Sequence, residues 1–358
     1  MSVYDLNGRD LLEESLQGLE DILPDRFLVW HDEFKSAELD SSKWRMMKGR
    51  ITNQYEPHTG YSNDPNLVLN LNDSGLTYRA IKDNAFDDIY YTCPFLFTKD
   101  KFEFQYGRIE AKIKFPNSTA HHTTFWTLGA CSDRLDGATE SVPIAGVGVN
   151  FPSNGEIDIA EFDNNSVGAR MHWSSNGFDT STYSSGGNID QLVSTPNQWH
   201  IYAAEWTASS IDFYVDGIKK GTWATSSAEV NGWNPFHHPH YIILNCIAAI
   251  GGVINWDVME TKVAWVRVYA PVGVTAYIPE TGISIDASAT ISVGERKWLE
   301  PTFTPTIPSD MTLKWITHND SIVTCYGGML VGIAPGTTFV QCTTKHGYTA
   351  LCKVTVTA

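Results

Sequence analysis

Residues Ile211–Trp223 read IDFYVDGIKKGTW, two runs joined at Asp216-Gly217, and the reading of that dipeptide decides the fold. Asp-Gly supplies the left-handed backbone positions of a tight hairpin turn, so the flanking runs are read as paired antiparallel strands. Gly107–Phe115, GRIEAKIKF, alternates strongly and makes a further strand. Working outward, short β-branched or aromatic runs alternate with clusters of Gly, Pro, Asn and Ser from Phe27 to Gly273, and aromatics make up 12% of the chain, with 12 Trp. Nothing in this stretch suggests alternating βαβ units. The pattern predicts an all-β protein, with an antiparallel sandwich over residues 26–272.

The chain of 358 residues is long for one core, so two domains are expected. Around residues 271–282, PVGVTAYIPETG loses periodicity and carries two prolines, which predicts a linker at 273–281. Residues 282–358 then show strand runs at ISID, TLKWIT, FVQCTT and LCKVTVT with turn chemistry between them, as a small Ig-like β-sandwich of roughly seven strands would. At the other end, Leu12, Leu16, Leu19 and Leu23 recur at helical spacing and predict an amphipathic helix within residues 1–25, ended by Pro24. The same stretch is acidic and lacks the continuous apolar core of a signal peptide. No run approaches the roughly 20 apolar residues of a membrane span. A net charge of −16 disfavours nucleic acid and anionic membrane surfaces as partners. The six cysteines show no CxxC pair, so buried free thiols are expected instead of a zinc site or a disulfide framework.

Chemistry concentrates in Gly155–Phe162, GEIDIAEF, where Glu156, Asp158 and Glu161 fall within six positions of a strand-like run. Strict alternation would put Glu161 on the face opposite Glu156 and Asp158. A β-bulge between Asp158 and Glu161 would return it to their face and leave Ile157 and Ile159 for the core. Three carboxylates in one groove suit a calcium site, a solvated face, or glycoside hydrolysis. In the last case one carboxylate acts as nucleophile and one as acid/base, and a retaining enzyme holds them about 5–5.5 Å apart. Asp158 between them would raise a neighbour's pKa by its charge.

The surrounding sequence resembles glycoside hydrolase family 16, in particular its laminarinase-like branch with a bulged E-[IL]-D-[IV]-x-E signature. The resemblance runs through VWHDEF, LDSSKW, YGRIEAKIKFP, FWTLG, the acids themselves, HW, WHIYAAEW, DFYVDG, YIILNCIAAIGG and WVRVYA in the family's order. It implies a β-jelly-roll with a carbohydrate cleft, Glu156 as nucleophile, Asp158 as assistant and Glu161 as acid/base. It further implies Trp126 as a stacking platform and His172 as a neighbour of the catalytic strand. Asn53 and Trp256 are expected at the substrate, and Trp233 as a lesser extension of the cleft. Where many laminarinases carry a W-P-A stretch before FW, this chain has AHHTTFW. The expected reaction is therefore retaining endo-hydrolysis of a β-1,3- or mixed-linkage β-1,3/1,4-glucan, with an agar-, porphyran- or carrageenan-type galactan as the alternative. A glycan-binding surface or virion protein is the reading without catalysis. Residues 282–358 resemble the bacterial Ig-like group 2 family, which implies a spacer or adhesion role. No cofactor is required by this chemistry and no metal ligand is assigned, although a structural Ca2+ is compatible with it. The polysaccharide partner implies an extracellular or surface-associated protein, with attachment to a cell surface or virion through the Ig-like part.

Overall fold

Asp216 and Gly217 both take positive φ, 49° and 75°, and the turn they make pairs Ser210–Val215 with Ile218–Ala224 in antiparallel register. In this computed structural model the described residues are 23–358 except 37, 48, 51–58, 62–63, 65–66, 71–74, 87–88, 118–120, 132–148, 150, 164, 178–181 and 249–256. The hairpin forms one edge of an eleven-stranded sheet. Inward from it lie His200–Trp206, Gly107–Lys114, Val258–Tyr269 and Leu76–Phe86. A seven-stranded sheet covers it, in the order Ser184–Ile189, Ser166–Trp173, Glu156–Asp163, His121–Gly129, His240–Ala248, Phe95–Phe97, Arg45–Met46. Pairing is antiparallel throughout this second sheet.

The core lies between the sheets. Ile157, Ile159 and Phe162 are 2% exposed or less, and the Phe162 ring stacks on Phe115 from the opposing sheet with centroids 5.3 Å apart. Apolar positions of the acid-bearing strand therefore point inward, and burying aromatics of this size removes much apolar surface from water. All six cysteines are free and buried, as expected.

Beyond the sandwich, residues 271–281 contain no strand. Nine strands follow, in sheets of two, four and three. Among the described residues two pairings depart from the antiparallel pattern: Ser288–Ser292 with Thr349–Thr357 in this tail, and Thr59–Tyr61 with Ile89–Cys93 in the eleven-stranded sheet, are parallel. This tail has its own core around Leu299, Val323, Val340 and Val354. It is also docked against the sandwich. Trp298 meets Trp233 edge to face at 5.5 Å, Met329 joins Cys131, Val149 and Trp233 in one apolar cluster, and Met311 N donates to Glu103 O at 2.7 Å. The helix predicted within residues 1–25 lies outside the described residues up to residue 22.

Candidate active site

The bulge forms where the three acids require it. Asp158 pairs with Arg170 and Glu161 with Gly168, so three steps along the acid-bearing strand match two along its neighbour. On the other side Trp126 pairs with Asp158 and Phe125 with Ala160, a shift of the same size. The extra residue turns Glu161 back onto the face of Glu156 and Asp158, away from the core that holds Ile157 and Phe162. Asp158 is 3% exposed, whereas Glu156 and Glu161 are only partly buried.

Neighbouring strands supply the surroundings. His172, opposite Glu156 in register, places Nε2 3.0 Å from Asp158 Oδ2 and 3.8 Å from Glu156 Oε1. Its Nδ1 lies 2.5 Å from the Tyr183 hydroxyl, and the two rings stack with centroids 5.4 Å apart. With the tyrosine hydroxyl donating to Nδ1, the imidazole carries its proton on Nε2, toward the acids. Phe151 packs on the edge of the His172 ring. Around Glu161, Arg170 Nε lies 2.8 Å from Oε2 and His122 Nε2 lies 3.7 Å from Oε1. The Arg170 contact does not have hydrogen-bond alignment, so it acts through charge. Burial pushes the Glu161 carboxyl above its ordinary pKa and Asp158 adds to the rise, while His122, Arg170 and His172 pull it partly back. A carboxyl held up in this way can keep its proton until it is needed as an acid.

Trp126 is half-buried, and its indole N–H donates to Asn245 Oδ1 at 2.7 Å, which fixes the ring's orientation. Trp126, His172 and the three acids are thus brought together, as expected from the sequence. Asn53 and Trp256 lie outside the described residues. Trp233 does not extend the cleft. It is 6% exposed, its N–H donates to Ser153 O, and one face stacks on His238 while Trp298 of the tail closes its edge. Its apolar ring serves the junction with the tail. The sequence assigns no site role to Arg170, Tyr183 or Asn245, and His122 enters only as part of AHHTTFW. His122 and Trp126 are four apart and Arg170 and His172 two apart, so period-two alternation was the available signal. Among the described residues, Glu156, Asp158 and His172 are the group whose ligand atoms could hold a metal, all within 4.8 Å of one another.

A two-sheet sandwich that turns a bulged row of carboxylates outward beside a tryptophan and a histidine defines a β-sandwich of the jelly-roll glycosidase type. The chain belongs to glycosyl hydrolases family 16, whose family model matches residues 47–267. It is 28% identical over 275 residues to glucan endo-1,3-beta-glucosidase A1 of Niallia circulans, an alignment covering 68% of this chain and 37% of the relative. It is also 28% identical to the keratan-sulfate endo-1,4-beta-galactosidase of Sphingobacterium multivorum, over 68% of this chain and 54% of that one. The chain thus spans about a third to a half of the length of these curated relatives. Among solved structures, LamAcat from Zobellia galactanivorans superposes with a TM-score of 0.55 at 26% identity, over 69% of this chain and 98% of that chain.

Proposed function

We propose that this protein is a retaining, endo-acting glycoside hydrolase that cleaves a β-1,3- or mixed-linkage β-1,3/1,4-glucan. The observation that carries the reading is the one-residue bulge that gathers Glu156, Asp158 and Glu161 on one face of the acid-bearing strand. Glu156 attacks the anomeric carbon and forms a glycosyl-enzyme. Glu161 protonates the departing oxygen, then takes a proton from the water that releases the sugar. Asp158 keeps Glu161 protonated for the first step, and His172 orients Asp158. Trp126 offers a flat apolar face to a pyranose ring. Both reacting groups are carboxylates, so the chemistry requires no cofactor, and a structural Ca2+ would sit apart from it.

The relative named for glucan endo-1,3-beta-glucosidase activity supports the choice of glucan. A galactan is the second reading, favoured by the keratan-sulfate endo-1,4-beta-galactosidase relative and by AHHTTFW before the acids. Residues 282–358 fit a bacterial Ig-like group 2 module that attaches the enzyme to a cell or particle surface, with the polysaccharide met outside the cell. Glu156→Gln should reduce hydrolysis of laminarin at least a thousandfold with the melting temperature preserved, as expected when a nucleophile is removed. Oligosaccharide ladders resolved by chromatography, from laminarin, mixed-linkage glucan, agarose and keratan sulfate, decide the substrate. A ladder from a galactan alone would overturn the glucan assignment, and an active Glu156→Gln enzyme would overturn the mechanism.

A further inference from the structure

Glu161 must be protonated for glycosylation and ionised for deglycosylation, and it sits just beyond the bulge. Its partners in register are Thr124 on one side and Gly168 on the other, and Gly168 offers no side chain to hold it. The gap is filled from two residues further along that strand. Arg170 reaches back over Gly168, with Nη2 3.9 Å from the place a Cβ would occupy, and sets Nε 2.8 Å from Glu161 Oε2. From the opposite neighbour, His122 approaches Oε1 at 3.7 Å, itself held by Thr124 Oγ1 at 3.0 Å from Nε2. Arg170 Nη2 is in turn 3.9 Å from Asp190 Oδ1. The two carboxylate oxygens of Glu161 are therefore bracketed by cationic or ionisable groups from both adjacent strands.

We propose that Arg170 is a positioning residue for the acid/base: with His122 it holds the Glu161 carboxylate across the bulge and sets how readily that carboxyl gives up its proton. The proposal rests on Glu161 being the acid/base. Among the described residues, the charged and titratable groups around Glu161 include His122 from one neighbouring strand, Arg170 and His172 from the other, Asp158 and Glu156 on the same face of its own strand, and Tyr183 beyond. Of these, Arg170 and the histidines favour the ionised form, which assists the second step, and Asp158 favours the protonated form, which assists the first. A side chain at Gly168 would meet Ile189 O at 3.0 Å and come into ordinary contact with Arg170 Nη2 at 3.9 Å.

The test compares Arg170→Met, Arg170→Lys and His122→Asn in the full chain, with pH profiles of kcat and kcat/KM on the polysaccharide that the wild type cleaves. Arg170→Met should move the alkaline limb of kcat/KM to higher pH, since the cation that promotes loss of the Glu161 proton is gone. It should also lower kcat on the order of tenfold to a hundredfold through misplacement of the carboxylate, with KM little changed. Arg170→Lys should return the limb toward the wild-type pH while recovering kcat only in part, because the ammonium restores a positive charge but on a differently shaped side chain that does not place it where the guanidinium sits. If Arg170→Met does not fold, judged by thermal melting, His122→Asn should give a smaller upward shift of the same limb. A wild-type profile and kcat in the folded Arg170→Met or His122→Asn enzyme overturns the proposal. Glu161→Gln separates the two levels: if it stays active the acid/base assignment fails, whereas an inactive Glu161→Gln beside an unshifted Arg170→Met enzyme removes only the role of Arg170.

Discussion

At the residue scale, Trp126 shows how one side chain can serve both core and cleft. Phe95 packs on it edge to face at 6.1 Å, and Asn245 takes its N–H, leaving the half-exposed ring turned to a fixed angle. A pre-oriented aromatic plane costs little further entropy when a sugar ring stacks on it. Trp126→Ala should therefore raise KM about tenfold, equivalent to about 1.4 kcal/mol of lost binding, with a smaller effect on kcat. Steady-state kinetics on a soluble glucan checks this, and an unchanged KM would remove Trp126 from the binding surface.

At the element scale, the acid-bearing strand depends on how the chain arrives at it. Gly155 has φ +75°, its carbonyl accepts from Gly129 N at 3.1 Å, and a Cβ added there would lie 2.6 Å from Pro235 Cβ. Left-handed backbone costs an alanine about 1–2 kcal/mol by itself, and the overlap with Pro235 adds to it. Gly155→Ala is expected to lower the melting temperature and, because Glu156 is the next residue, to reduce kcat more than KM rises. Calorimetry with kinetics on the same preparation tests both parts. A variant with wild-type stability and turnover would show that the strand tolerates a shifted start.

At the scale of the whole molecule, the sandwich and the tail share a buried charged joint. Glu103 is 3% exposed, pairs with Lys99 at 3.2 Å, and exchanges backbone contacts with the tail through Met311 N and Thr312 Oγ1. Burial pushes its carboxyl up to about 7, against the pull of Lys99. A carboxyl with a raised pKa in the fold contributes its full stabilisation below the unfolded pKa of about 4.3, and that contribution is lost as pH rises through the folded value. Stability should thus fall between the ordinary carboxylate range and about pH 7, and Glu103→Gln should flatten that dependence. Melting temperatures measured from pH 4 to pH 8 would test it, and parallel curves for the two proteins would reject the role of Glu103.

The strands themselves were legible in the sequence. The Asp216-Gly217 turn, the alternation of Gly107–Phe115, and the grouping of Glu156, Asp158 and Glu161 are local patterns, and local backbone geometry carries them into the fold. The bulge was legible as well, because two isoleucines bound for the core leave Glu161 one residue out of phase. Tertiary structure alone decided which partners those acids meet. Arg170 and His122 are 48 positions apart, and only the pairing of strands on either side of the acids sets them on one carboxylate. Trp233 was indistinguishable in sequence from a cleft tryptophan, since an apolar ring packs as well on a tail module as on a sugar. Its place at the joint followed from the docking of Trp298 and Met329, a contact between segments about 65–96 residues distant in the chain that no periodicity encodes.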